Sequence, residues 1–175
     1  MKNITAFFIL FFFYSCNKKA EVFIPNFTDF IFVDLNLQEN TSIKFTGKDT
    51  LYIQKRMPDL PLENYILILN EQDRDSLISR INKLNLEEKQ SIYAQTESDS
   101  SQVFILNKHE KTKSVSIIGK SGPTEVNSFG DWISKFEAKQ KRIKTKENIH
   151  FWNLKNTVPP PWPPSKIKHI TFKKS

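Results

Sequence analysis

Residues 65–84 read YILILNEQDRDSLISRINKL, and the change of rhythm inside them decides the fold. Tyr65-Ile66-Leu67-Ile68-Leu69 is a compact apolar run of strand length, bounded by a turn-forming asparagine. Asn70 is placed as a helix N-cap, with Glu71, Asp73 and Asp75 near the positive end of the helix dipole. Beyond it Leu77, Ile78, Ile81 and Leu84 recur at helical spacing, so this helix buries one face. A strand passing directly into an amphipathic helix requires a sheet with a helix packed upon it.

Upstream, Phe30-Ile31-Phe32-Val33-Asp34-Leu35-Asn36-Leu37 reads as a strand with Ile31, Val33, Leu35 and Leu37 on one face. Ser42 to Thr46 and Thr50 to Lys55 follow across the short turns Gln38-Glu39-Asn40 and Gly47-Lys48-Asp49, giving an antiparallel meander. Residues 56–64, RMPDLPLEN, carry two prolines and read as a loop. Downstream, 94–101 is a polar loop, and Gln102–Asn107 with Ser114–Ile118 form a hairpin across Lys108 to Lys113. A second helix is expected from near Ser128, with Phe129, Trp132, Ile133 and Phe136 on one face, running on into Lys141–Lys146 as a solvated basic end. The order is ββββ-α-ββ-α, with no internal repeat. That order predicts an α+β fold: an antiparallel sheet of about six strands with two helices packed on one face. It resembles the element order of small uncharacterised α+β domains in bacterial lipoproteins, a likeness that carries no functional residues.

The amino terminus fixes an address. Lys2 precedes an apolar core of 11 residues, Ile4 to Tyr14, which is too short to span a bilayer as a helix. A conventional cleavage before Cys16 would place bulky Phe13 at −3. Phe13-Tyr14-Ser15-Cys16 instead resembles the lipobox of bacterial lipoproteins, although Tyr14 stands where a small residue is usual and Phe13 replaces leucine. The resemblance implies removal of residues 1–15, lipidation of the Cys16 thiol and acylation of the new amino terminus. Two or three chains make a stable anchor where a single one binds marginally, at about 0.8 kcal/mol per buried CH₂. Asn17-Lys18-Lys19 after the cysteine, in place of acidic residues, points to a periplasm-facing position. The expected division is a signal peptide 1–15, a tether 16–25, a single α+β domain 26–140 and a basic Pro/Trp-containing tail 141–175.

Formal charge is +7, and it is unevenly spread. Residues 141–175 hold nine basic residues and one acid, Glu147, whereas residues 16–140 hold 16 basic and 18 acidic residues. An exported tethered protein seldom meets nucleic acid, so none is expected as a partner. Anionic lipid, an anionic polymer or an envelope protein suits the tail better, and simple solvation is the alternative. The residues that would make that contact are Lys141, Arg142, Lys144, Lys146, Trp152, Trp162, Lys166 and Lys168. Pro159 to Pro164 enclose Trp162 in a stiff polyproline II segment. The tail either folds back, with Lys166 to Phe172 adding an edge strand, or serves as a docking strip. The cost of exposing two tryptophans, a few kcal/mol, favours fold-back.

Catalytic patterns are weak. Gly119-Lys120-Ser121-Gly122 lacks the earlier glycine of a phosphate loop, since position 114 is Ser, and Pro123 interrupts the required helix start. His109-Glu110 lacks a second histidine four residues on, where Lys113 stands, and His150 and His169 have no neighbouring carboxylate. No serine sits in a nucleophile elbow. No cofactor or metal is expected. Three readings stay open: a binding or structural module of the envelope, an inhibitor or immunity-type protein holding one partner, and a hydrolase whose site assembles only in three dimensions.

The anchor is tested by Cys16→Ala, which is expected to shift the protein from the membrane fraction to a precursor or soluble form. Mature-sized protein still in the membrane fraction would refute the lipobox assignment.

Overall fold

A computed structural model describes residues 23–94 and 98–151. The leader, Cys16 and everything after Phe151 lie outside the described residues, as do the expected edge strand Lys166 to Phe172 and the docking-strip alternative.

The chain is α+β: a mixed eight-stranded sheet with two helices on one face. Strands β1 (Asp29–Leu35), β2 (Asn40–Phe45), β3 (Thr50–Arg56) and β4 (Glu63–Ile68) form the expected meander. Helix α1 (Glu71–Lys83) follows, then a 3-10 turn at Leu86–Glu88 and β5 (Ile92–Ala94). The hairpin of β6 (Ser101–Lys108) and β7 (Lys111–Ile118), helix α2 (Thr124–Lys139) and β8 (Ile143–Thr145) complete it. The order across the sheet is β5-β7-β6-β1-β2-β3-β4-β8. All pairs are antiparallel except β5 with β7, so the sheet is mixed rather than the antiparallel sheet of about six strands that the sequence suggests.

Asn70 caps α1 as its position requires: its Oδ1 accepts from the Asp73 amide at 2.8 Å, and its side-chain amide donates to Asp73 Oδ2 at 2.9 Å. Leu77, Ile78 and Ile81 turn inward. Helix α2 starts four residues before the expected Ser128, directly after Pro123. A proline there costs nothing, because the first turn of a helix has no use for its missing N–H. Nor does α2 run on through Lys141–Lys146. It ends at Lys139, and the chain turns into β8, which pairs Ile143 with Ile66 and Thr145 with Asn64.

Both sheet faces are apolar at the centre. Phe30, Phe32, Ile43, Phe45, Leu51, Ile53 and Phe104 point to the helices, where Phe129 meets Phe30 edge-on at 5.7 Å between ring centres. Arg80 of α1 lies over the Trp132 ring of α2 at 4.4 Å, a cation–π contact joining the helices. Ile31, Val33, Val103 and Ile105 fill the opposite face, which Ile149 and Phe151 cover. Residues 146–151 therefore cross the second face as a strap, tied by Asn64 Nδ2 to the Glu147 carbonyl and Lys44 Nζ to the His150 carbonyl, both at 3.0 Å.

Gly47 has φ +77° in the β2–β3 turn, and an added Cβ would lie 2.7 Å from the Pro25 ring. Gly47→Ala is expected to lower unfolding stability by about 1–2 kcal/mol, from left-handed strain and displacement of Pro25. Urea unfolding of the variant measures this directly.

Candidate functional site

The helix-side core stops at a polar cross-strand row. Phe32, Ile43, Ile53 and Tyr65 are consecutive partners across β1–β4, and two positions further on the equivalent row is Asp34, Thr41, Lys55 and Glu63. Glu39, in the β1–β2 turn, receives bonds from Lys55 and from Thr41 Oγ1, the latter at 2.8 Å. Glu63 accepts from Tyr65 OH at 2.5 Å and from Lys144 of β8 at 2.6 Å. Buried Glu137, in the last turn of α2, pairs with Arg142: Nε lies 2.5 Å from Oε1 and Nη2 2.9 Å from Oε2. This pair fixes the chain's departure from α2 into β8.

The electrostatics follow from these contacts. Burial opposes ionisation of Glu39, but the bonds from Lys55 and Thr41 outweigh it and hold its carboxyl below the usual range. Lys144 and Tyr65 likewise hold Glu63 low, and Glu63 in turn raises the Tyr65 phenol. Asp34 behaves oppositely. Burial pushes its carboxyl up, the Ser134 hydroxyl at 3.3 Å offsets part of this, and Asp131 and Glu39 add repulsion.

Above this row opens a cleft of about 640 Å³ between the β1–β2 turn and the β3–β4 loop. Asn36 shapes one wall, its Oδ1 accepting from the amides of Gln38 at 2.9 Å and Glu39 at 2.8 Å. The other wall turns at Asp59, which has φ +61°. Beside polar Asn40, Arg56 and Asp59, its apolar side chains are open to solvent: Leu37 is 73 % exposed, Leu60 60 % and Leu62 44 %, with Met57 half-buried between them. The cleft lies at the end of the strands remote from the chain's entry. Ile24 and Asn26 are tied to Asn82 of α1, and Pro25 rests on the β2–β3 turn. At about 3.3 Å per residue, six-residue β2 separates the two ends by about 20 Å.

The structure separates the basic residues that the sequence grouped together. Lys141 and Lys146 are exposed, whereas Arg142 is held by Glu137 and Lys144 by Glu63. Cys16, Trp152, Trp162, Lys166 and Lys168 lie outside the described residues. His109 occupies a tight turn with φ +55°, its amide donating to Thr28 Oγ1. Gly119–Gly122 is the turn leaving the β6–β7 hairpin, where the Gly119 amide donates to the Ser100 carbonyl and Gly122 sits against Ile117. Among the described residues no group of three or more His, Cys, Asp or Glu side chains is placed to hold a metal, and no helix is long and apolar enough to cross a membrane.

Sequence reasoning placed Leu37 with Ile31, Val33 and Leu35 on one strand face and read Met57, Leu60 and Leu62 only as loop. The available signal was the loop's composition, since three large apolar residues within RMPDLPLEN have no strand or helix to bury them. No protein-family model matches the chain, and no curated protein or solved structure is significantly similar to it.

Asp34 gives a pH signature. Burial raises its folded-state pKa above the ordinary aspartate value of 3.8, so its contribution is fully present below that value and is lost as pH rises through the folded pKa. Asp34→Asn, which keeps an acceptor for Ser134, is expected to be more stable than the parent at pH 7, with the difference closing as pH falls through the raised folded pKa toward 3.8. Thermal unfolding across that range checks the sign.

Proposed function

We propose that this chain is a non-catalytic, lipid-anchored binding module of the cell envelope, held by Cys16 on a periplasm-facing membrane. Its contact for an envelope protein is the apolar cleft at the far end of the sheet. One observation carries the reading: Leu37, Leu60 and Leu62 are exposed together at the end opposite to the chain's entry. A tether at the near end directs that cleft away from the bilayer, toward another macromolecule. A cluster of large apolar side chains beside neutralised charges, Glu39 with Lys55, has the make-up of a protein contact with an apolar centre and a polar rim.

The basic tail provides a second contact in the same proposal. Lys141 and Lys146 at its start are exposed, and with Lys166 and Lys168 they suit anionic lipid or polymer. An inhibitor or immunity-type role is the sharper version of the first contact: one partner, held tightly and with little salt dependence. A hydrolase is the weaker reading: the cleft's carboxylates, Glu39 and Asp59, stand among Leu37, Met57, Leu60 and Leu62, and Glu39 is ion-paired with Lys55.

Crosslinked pull-down from intact cells tests the assignment. Leu60→Asp is expected to reduce capture of the dominant partner by about 30-fold, the effect of losing an interface anchor worth about 2 kcal/mol, while leaving the unfolding temperature near that of the parent. Undiminished capture by both Leu60→Asp and Leu37→Asp would overturn the cleft as the contact. A steep decline of binding with salt would move it to the basic tail.

A further inference from the structure

On the sheet face away from the helices, four apolar side chains stand together beside the strap. Register places Tyr52 opposite Ile66 and Ile66 opposite Ile143, with Ile68 two residues along β4 on the same side. Ile68 is 61 % exposed and Ile143 47 %, while Tyr52 and Ile66 are half-buried. The strap covers the neighbouring Ile31, Val33, Val103 and Ile105, with Tyr52 packed at the margin of that cluster, but leaves Ile68 and Ile143 open.

We propose that residues 152–175 of this same chain cover the Tyr52–Ile66–Ile68–Ile143 patch and complete a second layer begun by the strap. The strap delivers the chain onto the correct face. From β8 it passes Asn64 on β4 and Lys44 on β2, and Phe151 ends over β1 and β6. Returning from β1 to β8 means crossing four strand spacings, about 19 Å, which about six extended residues can span. Twenty-four residues remain, and they include Trp152, Leu154, Trp162, Ile167, Ile170 and Phe172. The Pro159–Pro164 run around Trp162 lowers the entropy cost of ordering such a layer. A second copy of the chain is the weaker occupant, because four side chains fall far short of the roughly 800 Å² per partner of a stable interface.

The test places a single thiol in the full-length chain carrying Cys16→Ser. Leu60 and Ile68 have nearly equal exposure in the described structure, 60 % and 61 %, so Leu60→Cys calibrates Ile68→Cys. Ile68→Cys is expected to react with a maleimide at least tenfold more slowly than Leu60→Cys. Adding Trp152→Asp, Trp162→Asp and Ile170→Asp is expected to remove that protection, with the near-ultraviolet signal of Trp132 reporting an intact body. Equal reaction rates in the parent background would overturn the proposal. Protection that survives the tail substitutions, or that grows with protein concentration as a second copy would require, would overturn it equally.

Discussion

Strand β1 is apolar on both sides, and a sheet with such a strand at its middle must be covered twice. Phe30 and Phe32 face the helices while Ile31 and Val33 face away, and all four are 0–2 % exposed. Full burial of side chains of this kind is worth about 1.5–3 kcal/mol each, so exposing either face would cost several kcal/mol against the 5–15 kcal/mol by which a typical domain is stable. Helices α1 and α2 answer the first requirement. The second is met by an irregular segment, residues 146–151, through Ile149 and Phe151. Residues 146–151 are for that reason part of the core and not an appendage to it.

The edges are managed by short strands and charge. Strand β5 protects only Ser116–Ile118 of β7, and the rest of the β7 edge carries Lys111 and Lys113, charged residues that discourage pairing with another chain. At the other side β8 caps β4 with three residue pairs, held by Lys144 to Glu63 and by the Arg142–Glu137 pair at its base. Removing Arg142, itself half-buried, would leave the buried Glu137 carboxylate uncompensated, the costly case for a buried charge. The charges that the sequence assigned to an external surface thus include two that close the sheet.

Local signals made much of the fold legible. Asn70 and the spacing of Leu77, Ile78 and Ile81 mark α1, and the Gln38–Asn40 and Gly47–Asp49 turns mark the meander. The losses share a cause. Ile92–Ala94 and Ile143–Thr145 are too short to show a two-residue alternation, and each is a strand only because β7 or β4 offers it an edge. The basic run after Gln140 favours helix by propensity, but tertiary pairing overrides it. At the cleft the difficulty is different. Leu37 and Leu60 lie 23 positions apart in separate connections, and only the β1–β2–β3–β4 register brings those connections to one end.

That register also explains why the cleft is stiff at its base and open at its lip. Below it, the side chains from Asp34 through Thr41 and Lys55 to Glu63 run across four strands, and Lys144 extends the row to a fifth. The charge of Arg142 acts on Glu39 as well as on its own partner Glu137. Three separate ion pairs, Lys55–Glu39, Lys144–Glu63 and Arg142–Glu137, thus stand at the cleft wall, β8 and the end of α2. Above them, Leu37, Leu60 and Leu62 belong to a turn and a loop on which, among the described residues, no helix or strand is packed. Rigid polar footing beneath exposed apolar side chains limits the ordering needed when a partner covers them. Binding energy at such a site is diminished less by entropy than it would be on a wholly mobile loop.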